Sequence, residues 1–372
     1  MDRRKFFQST ASAALSTVGQ RTFGQAPEPP IRTAMIGTGN RGGWVLKEIM
    51  RQPGVKVTAL CDLKAARLDA AASTAARDNP KTYTDYKQLL GSKDIDAVFI
   101  DTPCDLHVEM TIAALDAGKH VYCEKPLGIT PQSIARVLKV ARASDRVFQV
   151  GQQMRSFNFI QETIGKLRDG VAGEIVMVKA QRHASWDLDH SSSSSDWFFD
   201  AKRSGDVIVE MAVHNLDLCN WAIDSRPERA AGFGGALIWK NDPPGRTNMD
   251  GYTLSYDYAN GVKLSFTQNF FHPAGLPAGG QYTNVFGTKG AVSLDTGKFY
   301  PLGKGAEPVL LSEPQKESDA PHIAAFYRAI RTGSKPAADI TIAATAALTA
   351  IMGRDAVYGR KMVSWNDLGV TV

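Results

Sequence analysis

Two kinds of apolar pattern divide this chain. From residue 31, short apolar runs alternate with stretches in which apolar residues recur at helical spacing. The runs at 31–37, 55–62, 97–101, 120–123 and 147–151 read as strands, and the stretches at 42–51, 63–77, 106–117 and 131–143 as the helices between them. Strand–helix alternation at that pitch predicts a parallel, doubly wound sheet. Pro131 suits a first helical turn, with Thr130 as its N-cap. Beyond Gly151 the pattern changes. A helix near 159–168 precedes a strand at 174–182, an irregular loop carrying Ser191 through Ser195, and a helix at 209–222. Strands at 230–239, 252–258, 262–271, 282–286 and 291–294 follow at close spacing, which predicts a large, mostly antiparallel open sheet in an α+β domain. Helices at 322–331 and 342–358 close the chain, the first with Ile323, Phe326, Tyr327 and Ile330 on one core-facing stripe.

At 372 residues the chain is long for one core. The expected division is a leader over 1–26, an α/β nucleotide-binding domain over 31–151, an α+β domain over 152–315, and helices over 316–372 packing back on the body. The leader is expected from Arg3-Arg4 before Phe6-Phe7, the small-residue stretch at 9–15 and the polar tail at 24–30. That order resembles a bacterial twin-arginine export signal and implies a periplasmic or secreted protein. Removing 1–26 takes away Arg3, Arg4, Lys5, Arg21 and Asp2, so the formal charge falls from +5 by 3 to +2. No basic stripe with interleaved aromatics then remains to suggest nucleic acid. No apolar run reads as a membrane span. Cys61, Cys104, Cys123 and Cys219 show neither metal spacing nor a disulfide framework, so they read as buried thiols and no metal site is expected.

The chemistry is concentrated in three motifs. Gly37-Thr38-Gly39-Asn40-Arg41-Gly42 closes the first strand and opens a helix, and Asp62 ends the next strand 25 positions after Gly37. Gly37 permits the tight turn, Gly39 lets backbone approach a pyrophosphate, and Gly42 allows close helix–sheet packing. The loop as a whole, including Thr38, Asn40 and Arg41, is placed against a dinucleotide. Asp62 would accept hydrogen bonds from the adenosine ribose and repel a 2′-phosphate, which favours NAD over NADP; Lys64 and Arg67 keep NADP open. Thr102 and Pro103, past the third strand, are placed facing the nicotinamide ribose. His107, just beyond, is placed at the cofactor with them, with plain structural hydrogen bonding at least an equal reading. Cys123-Glu124-Lys125-Pro126 then puts a lysine at a strand end, and Glu210, His214 and Asp217 recur on one expected helix face.

In this order the chain resembles the glucose–fructose oxidoreductase, inositol dehydrogenase and rhizopine-catabolism family, Gfo/Idh/MocA. The matching residues are the Gly37–Gly42 loop, Asp62, Thr102-Pro103, Glu124-Lys125-Pro126, Glu210-x-x-x-His214-x-x-Asp217, and Phe286-Gly287-Thr288-Lys289-Gly290. The resemblance implies a Rossmann domain followed by an α/β domain whose open sheet mediates homo-oligomerisation, and substrates among sugars, polyols and related alcohols. It also implies that Glu124 and Lys125 lie at the cofactor, with Lys125 between nicotinamide and substrate. His214 then acts as acid/base, with Glu210 supporting it where many members have aspartate. Chemically, a histidine near neutral pKa can take the hydroxyl proton and an ammonium can hold the developing alkoxide.

The substrate itself is expected from the loop between the first second-domain strand and the histidine helix, where Trp186 and Trp197 stand among aspartates. Aromatic faces beside hydrogen-bonding groups suit a sugar ring; a serine-rich surface loop with tucked-in tryptophans is an equal reading. Gln152, Gln153, Arg155 and Asp217 are weaker substrate candidates. An exported enzyme has no free pool of NAD to draw on, so it must retain and regenerate its cofactor. Two schemes do so: paired oxidation and reduction of sugars, or a glycosidase working by transient C3 oxidation. A noncatalytic dinucleotide-binding protein is the third reading.

Overall fold

A computed structural model describes residues 28–184, 197–276, 279–314 and 320–372. The expected leader and Trp186 lie outside the described residues.

The first domain alternates β1 (Ile31–Ile36), α1 (Asn40–Met50), β2 (Val55–Cys61), α2 (Ala65–Thr74), β3 (Lys81–Tyr83), α3 (Tyr86–Leu90), β4 (Ala97–Ile100), α4 (His107–Asp116), β5 (His120–Cys123), α5 (Pro131–Ala143) and β6 (Phe148–Val150). Its six strands are all parallel in the order β3-β2-β1-β4-β5-β6. The order reverses between β1 and β4, so the crevice for a ligand opens at their carboxyl ends. Buried on both faces, β4 reads Ala-Val-Phe-Ile without a polar position. Thr130 caps α5 as expected, its hydroxyl accepting from the Ser133 amide at 3.2 Å. The edge strand β3 and the short α3 were not expected. Lys-Thr-Tyr has no apolar run to betray it, and pairing with β2 alone makes it a strand.

The second domain runs through α6 (Asn158–Arg168), β7 (Ile175–His183), α7 (Ala201–Ser204), α8 (Val207–Glu210), α9 (Val213–Ile223), β8 (Pro227–Gly235), β9 (Gly251–Tyr258), β10 (Lys263–Asn269), β11 (Gln281–Gly287), β12 (Gly290–Ser293), β13 (Lys298–Pro301) and β14 (Val309–Leu310). After α10 (Pro321–Thr332) and α11 (Ile340–Gly359), β15 (Val363–Ser364) returns to the sheet. The nine strands lie in the order β14-β13-β12-β11-β7-β10-β9-β8-β15, and only β7 and β10 pair in parallel. Alternate residues of this sheet, such as Val178, Leu264, Phe266 and Tyr256, enter the core under α9 and α11, while Met177, Ser255 and Lys263 face outward.

Two expectations need correction. The helix read at 209–222 is two: α8 ends at Glu210, Met211 and Ala212 form a turn, and α9 restarts at Val213. The strand read at 230–239 stops at Gly235, because the Asp250 carboxylate takes the amides of Leu237, Ile238 and Trp239 at 2.6, 2.9 and 2.7 Å.

The closing helices split between the domains. The α10 stripe of Ile323, Phe326 and Tyr327 completes the core over Met35, Phe99 and Tyr122. Phe326 meets Phe99 edge-on with centroids 5.3 Å apart, a geometry worth about 0.5–1.5 kcal/mol beyond the area it buries. With 20 residues, α11 is long and apolar enough to cross a bilayer, contrary to the reading of the sequence, but it lies mostly buried against β8, α8 and α9.

Candidate active site

The glycine loop shows why each of its glycines is there. Gly37 sits at φ +89°, and a Cβ on it would lie 2.4 Å from the Asp101 carbonyl oxygen. A Cβ on Gly42 would come within 2.1 Å of the Gly37 carbonyl oxygen, so this glycine lets α1 close onto β1. Gly39 faces only the flexible Arg67 guanidinium, and no side chain caps the α1 N-terminus. That leaves a helix N-terminus suited to a pyrophosphate. Asp62 spans the loop: one carboxylate oxygen accepts from Thr38 N and Oγ1 at 2.8 and 3.1 Å, the other from Lys64 N at 2.9 Å.

Beyond β4 and β5 the chain builds an ionic floor. The Glu124 carboxylate accepts from Arg41 Nε at 2.8 Å and pairs with Nη2 at 2.7 Å. Burial alone would raise Glu124, but the Arg41 and Lys125 charges outweigh it and hold the carboxyl below its ordinary value. Asp101 has no hydrogen-bond partner among the described residues, and burial, then the Glu124 charge, pushes it well up. Arg41 also donates to Gln153 Oε1 at 3.4 Å and lies 4.5 Å over the Trp44 ring, so Arg41 and Gln153 join the two domains. His107 spends both ring nitrogens on backbone, 2.8 Å from the Pro126 carbonyl and 2.9 Å from that of Thr102. It ties the Thr102-Pro103 segment to the loop after Lys125, which is the structural role weighed for it.

The Lys125 backbone amide donates to Glu124 Oε2 at 3.2 Å, but its side chain turns elsewhere. Its ammonium donates to the Glu210 carboxylate at 2.5 Å and to the Glu210 carbonyl at 2.6 Å. Glu210 therefore fixes Lys125 rather than His214, which corrects the expected support of the histidine. The break between α8 and α9 causes this, because it turns the Glu210 carbonyl out of the helix ladder. Lysine has three N–H donors, so one remains for a substrate oxygen. His214 is buried, and its Nδ1 has no partner among the described residues. Burial, then the Lys125, Arg182 and Arg41 charges, push its imidazole well below the ordinary value. It is a neutral base at pH 7.

Two substrate candidates turn on each other. Arg155 Nε and Nη2 bind the Asp217 carboxylate at 2.7 and 2.9 Å, both side chains are buried, and the guanidinium stacks 4.7 Å over Trp221. This closed pair fastens the start of the second domain to α9. Trp197 is half-buried and packs against Phe198.

Other residues at the site escaped the sequence. His322, at the start of α10, stacks parallel to Trp44 with centroids 6.1 Å apart, and its charge would act on both Glu124 and His214. The carboxyls of Asp101, the hydroxyls of Thr102 and Tyr122, the Gln152 amide and both His322 nitrogens are buried there without partners among the described residues. Such groups are rarely left unpaired in proteins. A glycine cradle on one side and this set of donors and acceptors on the other fit a dinucleotide. No signal in the local sequence marked His322, since only the packing of α10 brings it here; Gln152, read as a weaker substrate candidate, joins it at the end of β6.

The family model described as "Oxidoreductase family, NAD-binding Rossmann fold" matches residues 31–152, and that of the "GFO/IDH/MocA C-terminal domain" matches 161–293. A glycosyl hydrolase family 109 protein of Stenotrophomonas maltophilia is 36% identical over 189 residues, which cover 48% of this chain and 42% of the relative. An inositol 2-dehydrogenase of Salmonella paratyphi B is 27% identical over 196 residues, 52% of this chain and 55% of the relative. This chain thus matches about half of each of these curated relatives. The structure of a myo-inositol 2-dehydrogenase from Lactobacillus plantarum superposes with a TM-score of 0.75 at 23% identity, covering 90% of this chain and 99% of that one.

Proposed function

The chain belongs to the Gfo/Idh/MocA oxidoreductase family, and from that premise we propose that it is an NAD-dependent oxidoreductase acting at a secondary alcohol of a sugar, polyol or glycoside. One observation carries the reading: the Lys125 ammonium is held by Glu210 at 2.5 and 2.6 Å beside a neutral, buried His214. Bound NAD would supply the hydride acceptor. The Gly37–Gly42 loop would hold its pyrophosphate, Asp62 its adenosine ribose, and Thr102, Pro103 and Glu124 the nicotinamide end. His214 takes the proton from the substrate hydroxyl, and the remaining Lys125 N–H holds the oxygen as charge develops on it. Glu210 keeps that ammonium from turning away, so little reorganisation is required when the alkoxide forms.

The glycosyl hydrolase relative favours a second scheme on the same residues. Bound NAD would supply a reversible oxidation at ring C3 that acidifies the C2 proton; a base of this chain would remove that proton as the aglycone leaves C1 with its electron pair, and water would add at C1 as a proton returns to C2. The sum is hydrolysis with no net redox change. It suits an exported enzyme that carries its own cofactor, and export is read from Arg3-Arg4 and the segment after them. We further read the outward face of the nine-stranded sheet, with Met177, Phe286, Tyr300 and Met362 exposed, as the contact between copies in a homo-oligomer.

The deciding experiment incubates the purified protein, without added cofactor, with p-nitrophenyl glycosides, free aldoses and ketoses, and myo-inositol. Nitrophenol release supports the hydrolytic scheme. Paired aldose and ketose conversion, or NADH formation with inositol, supports the oxidoreductase. Silence throughout, with NAD bound, assigns a dinucleotide-binding protein instead.

A further inference from the structure

Asp206 occupies a backbone conformation that only glycine adopts freely, φ 74° and ψ 161°, directly before the single turn of α8. Nothing in the chain's local economy demands an aspartate there; glycine would take the same turn without strain. The side chain explains the choice. Asp206 is fully buried, one carboxyl oxygen accepting from Val207 N at 2.6 Å and the other from Met249 N at 3.0 Å and the Tyr358 hydroxyl at 2.6 Å. Its amide donates to Ser204 Oγ at 3.1 Å, and its carbonyl accepts from the amides of Val209 and Glu210 at 3.0 and 2.9 Å. Gln268 Nε2 adds a bond to the Val207 carbonyl at 3.1 Å. One residue thus joins α8 to α11 and to the segment before β9.

We propose that Asp206 is a positioning residue for the catalytic lysine. A helix of four residues has too few internal hydrogen bonds to hold its own orientation. Its last residue, Glu210, nevertheless presents both a carbonyl and a carboxylate to Lys125. Asp206 supplies the missing rigidity: it pins the first turn of α8 to the core, and the Glu210 oxygens inherit that position. Asp206 touches neither cofactor nor substrate. The proposal rests on the reading of Lys125 as the group that holds the reacting oxygen.

The test compares Asp206→Gly, which keeps the backbone shape and removes the anchor, with Asp206→Asn, whose single amide oxygen keeps an acceptor for one of the two amides. The probe is whichever panel compound wild-type enzyme converts, with and without deuterium at the oxidised carbon. Asp206→Gly should keep its bound NAD and its thermal midpoint, lower kcat by roughly 10- to 100-fold, the cost of a misplacement of about 1 Å, and change KM less than about threefold. The deuterium isotope effect on kcat should rise, because hydride transfer becomes more rate-limiting; loss of folded protein would leave it unmoved. Asp206→Asn, which keeps one of the two acceptor oxygens, should recover part of the lost rate. A crystal structure of Asp206→Gly should show Lys125 parted from Glu210. Wild-type kcat in Asp206→Gly, or an unchanged isotope effect, overturns the proposal. So does a crystal structure with the Lys125–Glu210 contact intact, and that arm decides even where no panel compound reacts and the functional reading itself has failed.

Discussion

Replacing His322 with Phe should make the protein more resistant to acid, by an amount the structure sets. His322 is 3% exposed, and burial pushes its imidazole from 6.5 down to about 4, against the opposing pull of Glu124. The folded protein therefore refuses a proton that the unfolded chain accepts between those two values. Below pH 6.5 the unfolded state binds more protons, so stability falls with falling pH and levels off near pH 4. At about 1.4 kcal/mol per pH unit, the full interval costs about 3 kcal/mol, and the part between pH 7 and pH 5 about 2 kcal/mol. Phe keeps a ring against Trp44 and has no site to protonate. Urea unfolding followed by tryptophan fluorescence, at pH 7 and pH 5 with NAD saturating in both, reads the difference. The variant should lose about 2 kcal/mol less than wild type across that step. Any packing cost of the larger ring is the same at both pH values and cancels. His107, His120, His183 and His214 are also depressed by burial, but they contribute equally to both proteins. Parallel acid losses in the two proteins would refute the claim that His322 is buried as the neutral base.

His214→Asn should keep its NAD and lose roughly two to four orders of magnitude in kcat, while wild-type kcat should hold steady as pH falls through 6.5, because the depressed imidazole stays neutral there. Lys125→Met should also cut turnover, and adding Glu210→Gln to it should cost nothing further, since Glu210 acts through Lys125; a multiplicative loss in steady-state kinetics would give Glu210 a separate role. Gly42→Ala drives a Cβ to 2.1 Å from a backbone oxygen that cannot move aside, so it should destabilise by about 1–3 kcal/mol and strip the NAD measured in the supernatant of denatured protein. Changing Arg3 and Arg4 to Lys should strand the protein in the cytoplasm, and undiminished periplasmic protein on a blot would end the export reading.

Much of this architecture is written locally. Five of the six strands of the first sheet were legible because each is an apolar run between helical patterns, buried on both faces. The glycine loop was legible because Gly37 and Gly42 answer constraints within one strand–turn–helix unit, and both collide with backbone if given a Cβ. Asp62 could be named as a candidate from its place at a strand end, and Glu124 and Lys125 from theirs together with the family resemblance. The Asp217 and Arg155 assignments failed to carry through for an equally physical reason. Sequence shows that a residue can bind, but a buried guanidinium 62 positions from a buried carboxylate finds its partner only in three dimensions.

What the sequence by itself determined, then, is the order of elements and the identity of the chemical groups, because periodicity, glycine geometry and strand-end position are properties of neighbouring residues. The tertiary structure alone decided how those groups are paired. Helical spacing put Glu210 and His214 on one face, yet the break after α8 gives Glu210 to Lys125 and leaves His214 Nδ1 without a partner among the described residues. His322 reaches the site only because the aromatic stripe of α10 docks on the first sheet, bringing residue 322 beside Trp44 and within the field of Glu124. Such contacts join residues up to about three hundred positions apart, as Thr33 and Tyr327 show at 3.0 Å. They are selected by burial of surface across the whole fold, which no local window of sequence contains.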